Sequence, residues 1–231
     1  MRDMSDKSMK ENVQAFAVKQ ILKYLEEDLD KSLPKLMAWA DKFDKENRFP
    51  SQRKVLRDII SNPNNNWYQL MKSLWTDIDP EVRKVFFENF FVNTSLIGYG
   101  RQEQWKAEHD CNIPWAILMD LTSACNLKCT GCWAAEYGHQ LNLEYEVLDD
   151  IVRQGTQMGT YMYIFSGGEP LVRKNDVIRL CEAHPDCEFL AFTNGTLIDE
   201  NFADEMLRVK NFVPAISIEG FEEATDSRRG K

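Results

Sequence analysis

The sequence lacks the features that carry a chain into or across a membrane. No eighteen consecutive apolar residues occur, and the first twelve residues are polar, unlike the apolar core of a secretory signal. Basic residues are also scarce, with 28 Lys and Arg against 37 Asp and Glu, for a net charge of −9. This deficit argues against a general nucleic-acid-binding protein, because no surplus cations are available to neutralise phosphates. We therefore expect a cytoplasmic protein that binds no nucleic acid.

Cysteine is sparse and unevenly placed. Three of the six cysteines, Cys125, Cys129 and Cys132, fall within eight residues at C-x3-C-x2-C spacing. This distribution is typical of reduced thiols and a metal site rather than a disulfide framework. No fourth thiol follows nearby, so the run matches neither common ferredoxin pattern. A cubane cluster held by three cysteines would leave one iron without a protein ligand, which indicates chemistry rather than electron storage.

The first hundred residues show helical patterns only. Apolar residues recur at helical spacing in five segments between Val13 and Ile97, and a turn-rich stretch at residues 61–66 interrupts them. We predict a helical N-terminal domain or extension over residues 1–100. Its aromatic residues are interpreted as core, but residues 85–97 hold four phenylalanines, more than one helix face needs. A surface for a membrane leaflet, a lipid or a partner protein therefore stays an alternative.

After a polar connector over residues 101–114, the pattern changes to alternating strands and helices. Repeated βα units with apolar strands imply parallel pairing, because each crossover helix returns the chain to the same sheet edge. In βα barrels the active site forms at the carboxyl ends of the strands, so the residues that follow each strand are the site candidates. The four strands are predicted at residues 116–122, 161–165, 188–192 and 212–218.

Each predicted strand ends in polar or glycine-bearing residues. The cysteine loop follows the first, and the later exits are Ser-Gly-Gly-Glu-Pro at 166–170, Thr-Asn-Gly-Thr at 193–196 and Ser-Ile-Glu-Gly at 217–220. Taken singly, such sequences are more often turns or caps than sites. Their occurrence in order at consecutive strand ends, after a three-thiol loop, favours one shared site.

This combination resembles the radical S-adenosylmethionine (SAM) enzymes, similar to the cofactor-maturase and peptide-maturase types. The resemblance covers residues 115–231 and implies an α/β fold, a partial (β/α) barrel with only the first four βα units after the helical N-terminal region. Because the remaining strands are absent, we expect the sequence to be a fragment. The resemblance also implies a 4Fe–4S cluster, SAM, and an electron donor such as flavodoxin or ferredoxin.

Residue roles follow from the resemblance. Cys125, Cys129 and Cys132 would ligate the cluster, and the fourth iron would take the amino and carboxylate groups of SAM. Gly131 departs from the family pattern, since members often place an aromatic residue there near the adenine, and whether Trp133 compensates is open. The implied cofactor-binding residues are Gly131, Gly167, Gly168, Glu169, Thr193, Asn194, Ser217 and Arg229.

These cofactor-binding residues divide by the group they would meet. Residues 167–169 would meet the SAM amino group, since an ammonium needs acceptors and close approach. Thr193 and Asn194 would face the cofactor or the substrate. Ser217, with an arginine from Arg228–Arg229, would take the SAM carboxylate or ribose.

The implied reaction is reductive cleavage of SAM to methionine and a 5′-deoxyadenosyl radical that abstracts hydrogen from a substrate. The substrate, whether a peptide, a cofactor precursor or a lipid, and the catalytic residues are not resolved by the sequence. A structural zinc site of the three cysteines and His139 is one alternative. Another is a non-catalytic iron–sulfur or interaction protein, for which Cys111 is the nearby candidate for a fourth ligand. Cys181 and Cys187 are expected to be core thiols.

Overall fold

The computed structural model describes residues 9–43 and 50–230. The predicted domains also include residues 1–8, 44–49 and 231, which lie outside the described residues. The chain divides into two compact units, one covering Asn12–Lys84 and the other containing Val85–Lys231. The predicted domain limits at residues 100 and 115 stay a prediction, because a compact unit need not coincide with a domain defined by its function.

Five α-helices form the N-terminal part, in the order predicted. Local sequence sets their ends: Asn65 accepts a hydrogen bond from the Trp67 N–H at 2.9 Å and so caps α4. Asp79 caps α5 in the same way, through the Glu81 and Val82 N–H groups at 2.8 and 3.1 Å. The helices are α1 (Met9–Glu27), α2 (Leu29–Phe43), α3 (Pro50–Ile60), α4 (Asn66–Thr76) and α5 (Pro80–Phe87).

The apolar residues of these helices are only partly buried. Leu25 and Tyr68 are 6% and 4% exposed, whereas Phe16 and Trp67 are 63% and 65% exposed. The interpretation of the aromatic residues as core therefore holds for part of the stripe only, since small helical units bury little of their surface. No helix within the described ranges is long and apolar enough to cross a bilayer. The predicted membrane or partner surface stays a prediction.

A π-helix, Glu88–Gly98, follows α5 directly and continues into α6 (Tyr99–His109). Its wide turns are supported by side chains: the Thr94 and Ser95 hydroxyls donate to carbonyls five residues back, at 2.9 and 3.0 Å. Most of the predicted connector is thus helical, because this stretch packs against the sheet unit instead of crossing solvent.

The sheet unit has four parallel strands in the order β1-β2-β3-β4, as the βα repeats predicted. This is an α/β fold that agrees with the first four βα units of a barrel. Crossover helices connect successive strands, and a last helix follows β4. The elements are β1 (Ala116–Thr122), α7 (Tyr145–Met158), β2 (Met162–Gly167), α8 (Lys174–Ala183), β3 (Glu188–Thr193), α9 (Glu200–Val209), β4 (Phe212–Ile216) and α10 (Glu222–Arg229).

The core lies on the face of the sheet that the helices cover. Tyr163 and Phe165 stack on Phe189 with ring centroids 5.6 and 5.4 Å apart, and all three rings are fully buried. On the opposite face Leu118 and Phe192 are 57% and 49% exposed. One face of the sheet is therefore packed and the other is open within the described residues.

The π-helix closes the amino-terminal end of the strands. The Asn89 amide donates to the Cys187 carbonyl at 2.9 Å and the Asn93 amide donates to the Asp186 carbonyl at 2.9 Å. Both asparagines are 2% exposed, so these bonds form in a dry environment where they are strong. The carboxyl ends of the strands stay clear of this packing.

Glu188 is a buried carboxyl group at the closed end of the sheet. It is fully buried, and its two carboxyl oxygens find no well-aligned donor among the described residues. Burial raises the pKa of Glu188 to about 8, although the nearby Asn89 amide opposes this. The folded protein therefore keeps the proton on Glu188 at a pH where the unfolded chain has lost it.

We predict that Glu188 makes the protein less stable as pH rises. Between about pH 4.5 and pH 8 the unfolded chain binds fewer protons, so the unfolding free energy should fall by up to about 1.4 kcal/mol per pH unit. Glu188→Gln should lose this slope and exceed the wild type in stability at pH 8. Urea denaturation from pH 5 to pH 8 measures this, with exposed Glu103→Gln as the control. Equal slopes for the wild type and Glu188→Gln would contradict the assignment.

Candidate active site

The cysteine loop, residues 123–132, leaves the carboxyl end of β1. Cys125, Cys129 and Cys132 are free thiols and each is half-buried. The Cys132 N–H donates to the Cys129 carbonyl at 3.3 Å, which closes a tight turn. Gly131 sits in that turn with a φ of 73°, a conformation that glycine adopts without steric cost. The departure from an aromatic residue at this position thus has a local backbone reason.

Burial and neighbouring negative charge both act on Cys125. Burial raises the pKa of the Cys125 thiol, the Leu127 N–H opposes this, and negative charge on Glu169, Cys129 and Cys132 raises the pKa further. Holding all three as thiolates requires compensating positive charge, which a metal centre supplies.

The donor set consists of three thiols in one loop, ligands that suit either a cubane cluster or a single ion with a fourth ligand. Zinc would need every sulfur about 2.3 Å from one atom, whereas each cysteine of a cubane binds a different iron. His139, the fourth ligand of the zinc alternative, lies with its Nδ1 3.5 Å from the Cys125 backbone nitrogen.

The exit of β2 packs directly under the cysteine loop. The Gly168 N–H donates to the Thr122 carbonyl at 2.7 Å, and the Glu169 N–H donates to the Ala124 carbonyl at 2.8 Å. A Cβ on Gly168 would lie 2.2 Å from the Ala124 oxygen. Gly167 has a φ of 115°, and its Cβ would lie 2.4 Å from the Thr122 oxygen. The loop itself therefore requires both glycines, and their contact with SAM stays a prediction.

Glu169 points into the protein. Its side chain is 2% exposed; Oε1 accepts from the Leu171 N–H at 3.0 Å and from the Thr193 hydroxyl at 2.6 Å. Oε2 accepts from the Asn194 N–H at 2.8 Å. Thr193 is 1% exposed, and its hydroxyl oxygen also accepts a hydrogen bond from the Gly195 N–H at 3.0 Å. Both residues support the rim from beneath, and their direct contact with a cofactor stays a prediction.

The Asn194 side chain reaches the cysteine loop. Its amide donates to the Oδ1 of Asn126 at 2.9 Å. No sequence pattern singled out Asn126, because its partner Asn194 lies 68 positions away.

The exit of β4 carries an ion pair that involves a predicted SAM ligand. Glu219 accepts hydrogen bonds from Arg228 and Arg229, and these two cations lower the pKa of its carboxyl. The Ser217 N–H donates to the Thr193 carbonyl at 2.9 Å, so Ser217 does lie beside the β3 exit. Arg229 donates to Glu219 through Nη2, and a guanidinium has further N–H donors, so its contact with a SAM carboxylate stays a prediction. The cysteine loop also contacts α10, because the Thr130 N–H donates to the Arg228 carbonyl at 2.8 Å.

A cavity of about 570 Å³ opens beside the loop, within the size range of small-molecule sites. Trp133 and Tyr137 pack edge to face on one wall, 5.8 Å between centroids, and are 57% and 58% exposed. Of the wall residues, Asp120, Tyr137 and Asn142 were not selected from the sequence. Asp120 could have been identified from the sequence, because it is the single charged residue within the apolar strand β1. The cavity is lined by Asp120, Ser123, Trp133, Tyr137, Asn142 and Gly168, among others.

Comparison with known proteins matches this half of the chain. Residues 119–231 match the profile of the Radical SAM superfamily. Fe-coproporphyrin III synthase from Methanosarcina barkeri is 31% identical over 121 residues, which cover 49% of this chain and 29% of the relative. GTP 3′,8-cyclase from Geobacter sulfurreducens is 36% identical over 95 residues, 38% of this chain and 29% of the relative. The chain thus spans less than a third of these two curated relatives.

Solved structures give a weaker likeness. SuiB of Streptococcus suis, solved with its precursor peptide SuiA, superposes with a TM-score of 0.48 and 21% identity. The superposition covers 58% of this chain and 31% of SuiB.

We predict that Gly168→Ala harms the loop more than Gly131→Ala. The Cβ of Gly168→Ala would clash with the Ala124 carbonyl. This change should lower the unfolding free energy by about 2–3 kcal/mol and reduce metal uptake. The Cβ of Gly131→Ala would meet no atom within 4 Å. This change should therefore lower the unfolding free energy by only about 1 kcal/mol, because alanine is strained at the positive φ of this position. Denaturation and iron content after anaerobic reconstitution measure both effects. Normal stability and iron content in Gly168→Ala, with loss of SAM binding alone, would show that Gly168 faces the ligand instead.

Proposed function

We propose that the protein is a radical SAM enzyme whose loop cysteines hold a 4Fe–4S cluster, because residues 119–231 match the profile of the Radical SAM superfamily. The observation that carries the proposal is the set of three half-buried thiols at the carboxyl end of a parallel sheet, beside a cavity. Active sites of βα barrels form at this end of the strands. The zinc alternative is less well supported, because residues 119–231 match the profile of the Radical SAM superfamily.

Cys125, Cys129 and Cys132 are the proposed cluster ligands. When bound, the cluster and SAM supply a one-electron reductive cleavage that initiates hydrogen abstraction from a substrate. Three protein thiolates leave one coordination position for a ligand. The electron would come from an external donor such as flavodoxin or ferredoxin, in the cytoplasm, where thiols stay reduced.

The cavity is the proposed place for SAM and substrate. Gly167 and Gly168 line this cavity, where a backbone carbonyl could accept a hydrogen bond from the SAM ammonium group. Trp133 presents a largely exposed ring to the cavity. Since Gly131 has no side chain, we infer that Trp133 supplies the apolar surface for the adenine.

The polar groups of the cavity would orient the substrate. Asp120 and Asn142 stand in a wall that is otherwise formed largely by Trp133, Tyr137 and leucine side chains. A few polar groups in an apolar pocket fix the orientation of a bound molecule by hydrogen bonds, while the aromatic walls exclude water. Exclusion of water protects a reactive species from side reactions.

We predict that the full-length protein binds about four irons after anaerobic reconstitution and forms 5′-deoxyadenosine from SAM when it is reduced. Replacing Cys125, Cys129 or Cys132 by Ala should abolish both the visible absorption of the cluster and the product. Cys111→Ala is the matched control and should keep both, because Cys111 is an exposed thiol outside the loop. Isolation with one tightly held zinc and no capacity for iron would overturn the proposal.

A further inference from the structure

Three polar side chains at the rim form a closed hydrogen-bonded cycle that contains a residue of the cysteine loop. The members are Asn126, between the first two cysteines, and Asn194 and Thr196, after β3. We propose that this cycle positions the cysteine loop for cluster binding, and that the three are positioning residues rather than cofactor contacts. The inference rests on the proposed function.

Each member of the cycle donates one hydrogen bond and accepts one. The Asn194 amide donates to Asn126 Oδ1 at 2.9 Å, and the Asn126 amide donates to the Thr196 hydroxyl at 2.8 Å. The Thr196 hydroxyl donates to Asn194 Oδ1 at 2.7 Å and closes the ring. Every group donates in the same sense around the ring, and all three bonds lie at the exposed rim.

The cycle rests on a rigid base. Oε2 of the buried Glu169 accepts the Asn194 N–H at 2.8 Å, and Oε1 accepts the Thr193 hydroxyl at 2.6 Å. The Thr196 N–H adds a bond to Asn194 Oδ1 at 2.9 Å. Asn194 is thus fixed in position before it meets the loop.

The contact of Asn126 with Asn194 and Thr196 lies between two other hydrogen bonds that hold the cysteine loop. The loop is tied before Cys125 by the bond between Ala124 and Glu169, and after Cys129 by the bond between Thr130 and Arg228. Asn126 is attached between these two ties. Ligands of a metal centre act well only when a supporting shell holds them within about 0.5 Å of the required geometry.

A simpler role for Asn194 is to cap its own turn. That role uses the bond from the Thr196 N–H and needs neither the Thr196 hydroxyl nor Asn126. Thr196→Val separates the two roles, because valine has the shape of threonine, keeps the N–H and removes the hydroxyl. Thr196→Ser keeps the hydroxyl and is its matched control.

The test measures alkylation of the thiols in the iron-free, full-length protein. With limiting iodoacetamide under anaerobic conditions and peptide mass spectrometry, Thr196→Val and Asn126→Ala should raise the rates at Cys125 and Cys129 roughly two- to tenfold. Thr196→Ser should match the wild type. The exposed Cys111 serves as an internal standard whose rate should not change. Exposed Asn201→Ala controls for the loss of an asparagine and should also match the wild type.

A second readout uses the reconstituted cluster. Without SAM, the electron paramagnetic resonance spectrum of the reduced cluster should change in Thr196→Val and not in Thr196→Ser, because only valine frees the loop. Equal alkylation rates and equal spectra in wild type, Val and Ser proteins would overturn the cycle as a positioning device. Failure of the wild type to take up iron would count against the proposed function instead. The alkylation rates of the iron-free protein would still test whether the cycle positions the loop.

Discussion

The carboxylate of Glu169 accepts three hydrogen bonds inside the protein, and through it the exits of β2 and β3 meet. Burying a charge is costly unless donors replace the lost water, and here two backbone N–H groups and a hydroxyl do so. Because these donors belong to Leu171, Thr193 and Asn194, the carboxylate fixes both strand ends at once. The position of the cysteine loop follows from this constraint, since the Glu169 N–H donates to the Ala124 carbonyl and the Asn194 amide donates to Asn126.

The two ends of the sheet have different roles. At the amino-terminal end, buried amides of the π-helix satisfy the carbonyls that precede β3, and the packing is dry. At the carboxyl end, the cysteine loop, the aromatic pair of Trp133 and Tyr137, and a cavity lie together. Stability and chemistry are thus separated along the strand direction, as in βα barrels generally.

Much of this arrangement could be predicted from the sequence. Apolar runs spaced by helical segments predicted the parallel pairing of the four strands, because each crossover helix returns the chain to the same sheet edge. Cys125, Cys129 and Cys132 could be grouped from spacing alone. The exits at Gly168, Thr193 and Ser217 could be assigned to one rim because parallel strands place their carboxyl ends together.

The orientation of individual side chains could not be predicted. Glu169 was expected at a ligand, but the sequence does not show that three interior donors surround it. The pairing of Arg229 with Glu219 depends on how α10 folds back, which no local pattern reports. The π-helix differs from an α-helix in its backbone hydrogen bonds, which join residues five apart, and the apolar composition of residues 88–98 does not signal this difference.

The central claim is that three protein thiolates hold a cluster with one iron open to SAM. Electron paramagnetic resonance of the reduced, reconstituted full-length protein tests it most directly, before and after SAM is added. If one iron lacks a protein ligand, SAM binds there and shifts the g values of the cluster. A spectrum that does not change at saturating SAM would contradict the claim, because it would mean that the protein already fills every iron position.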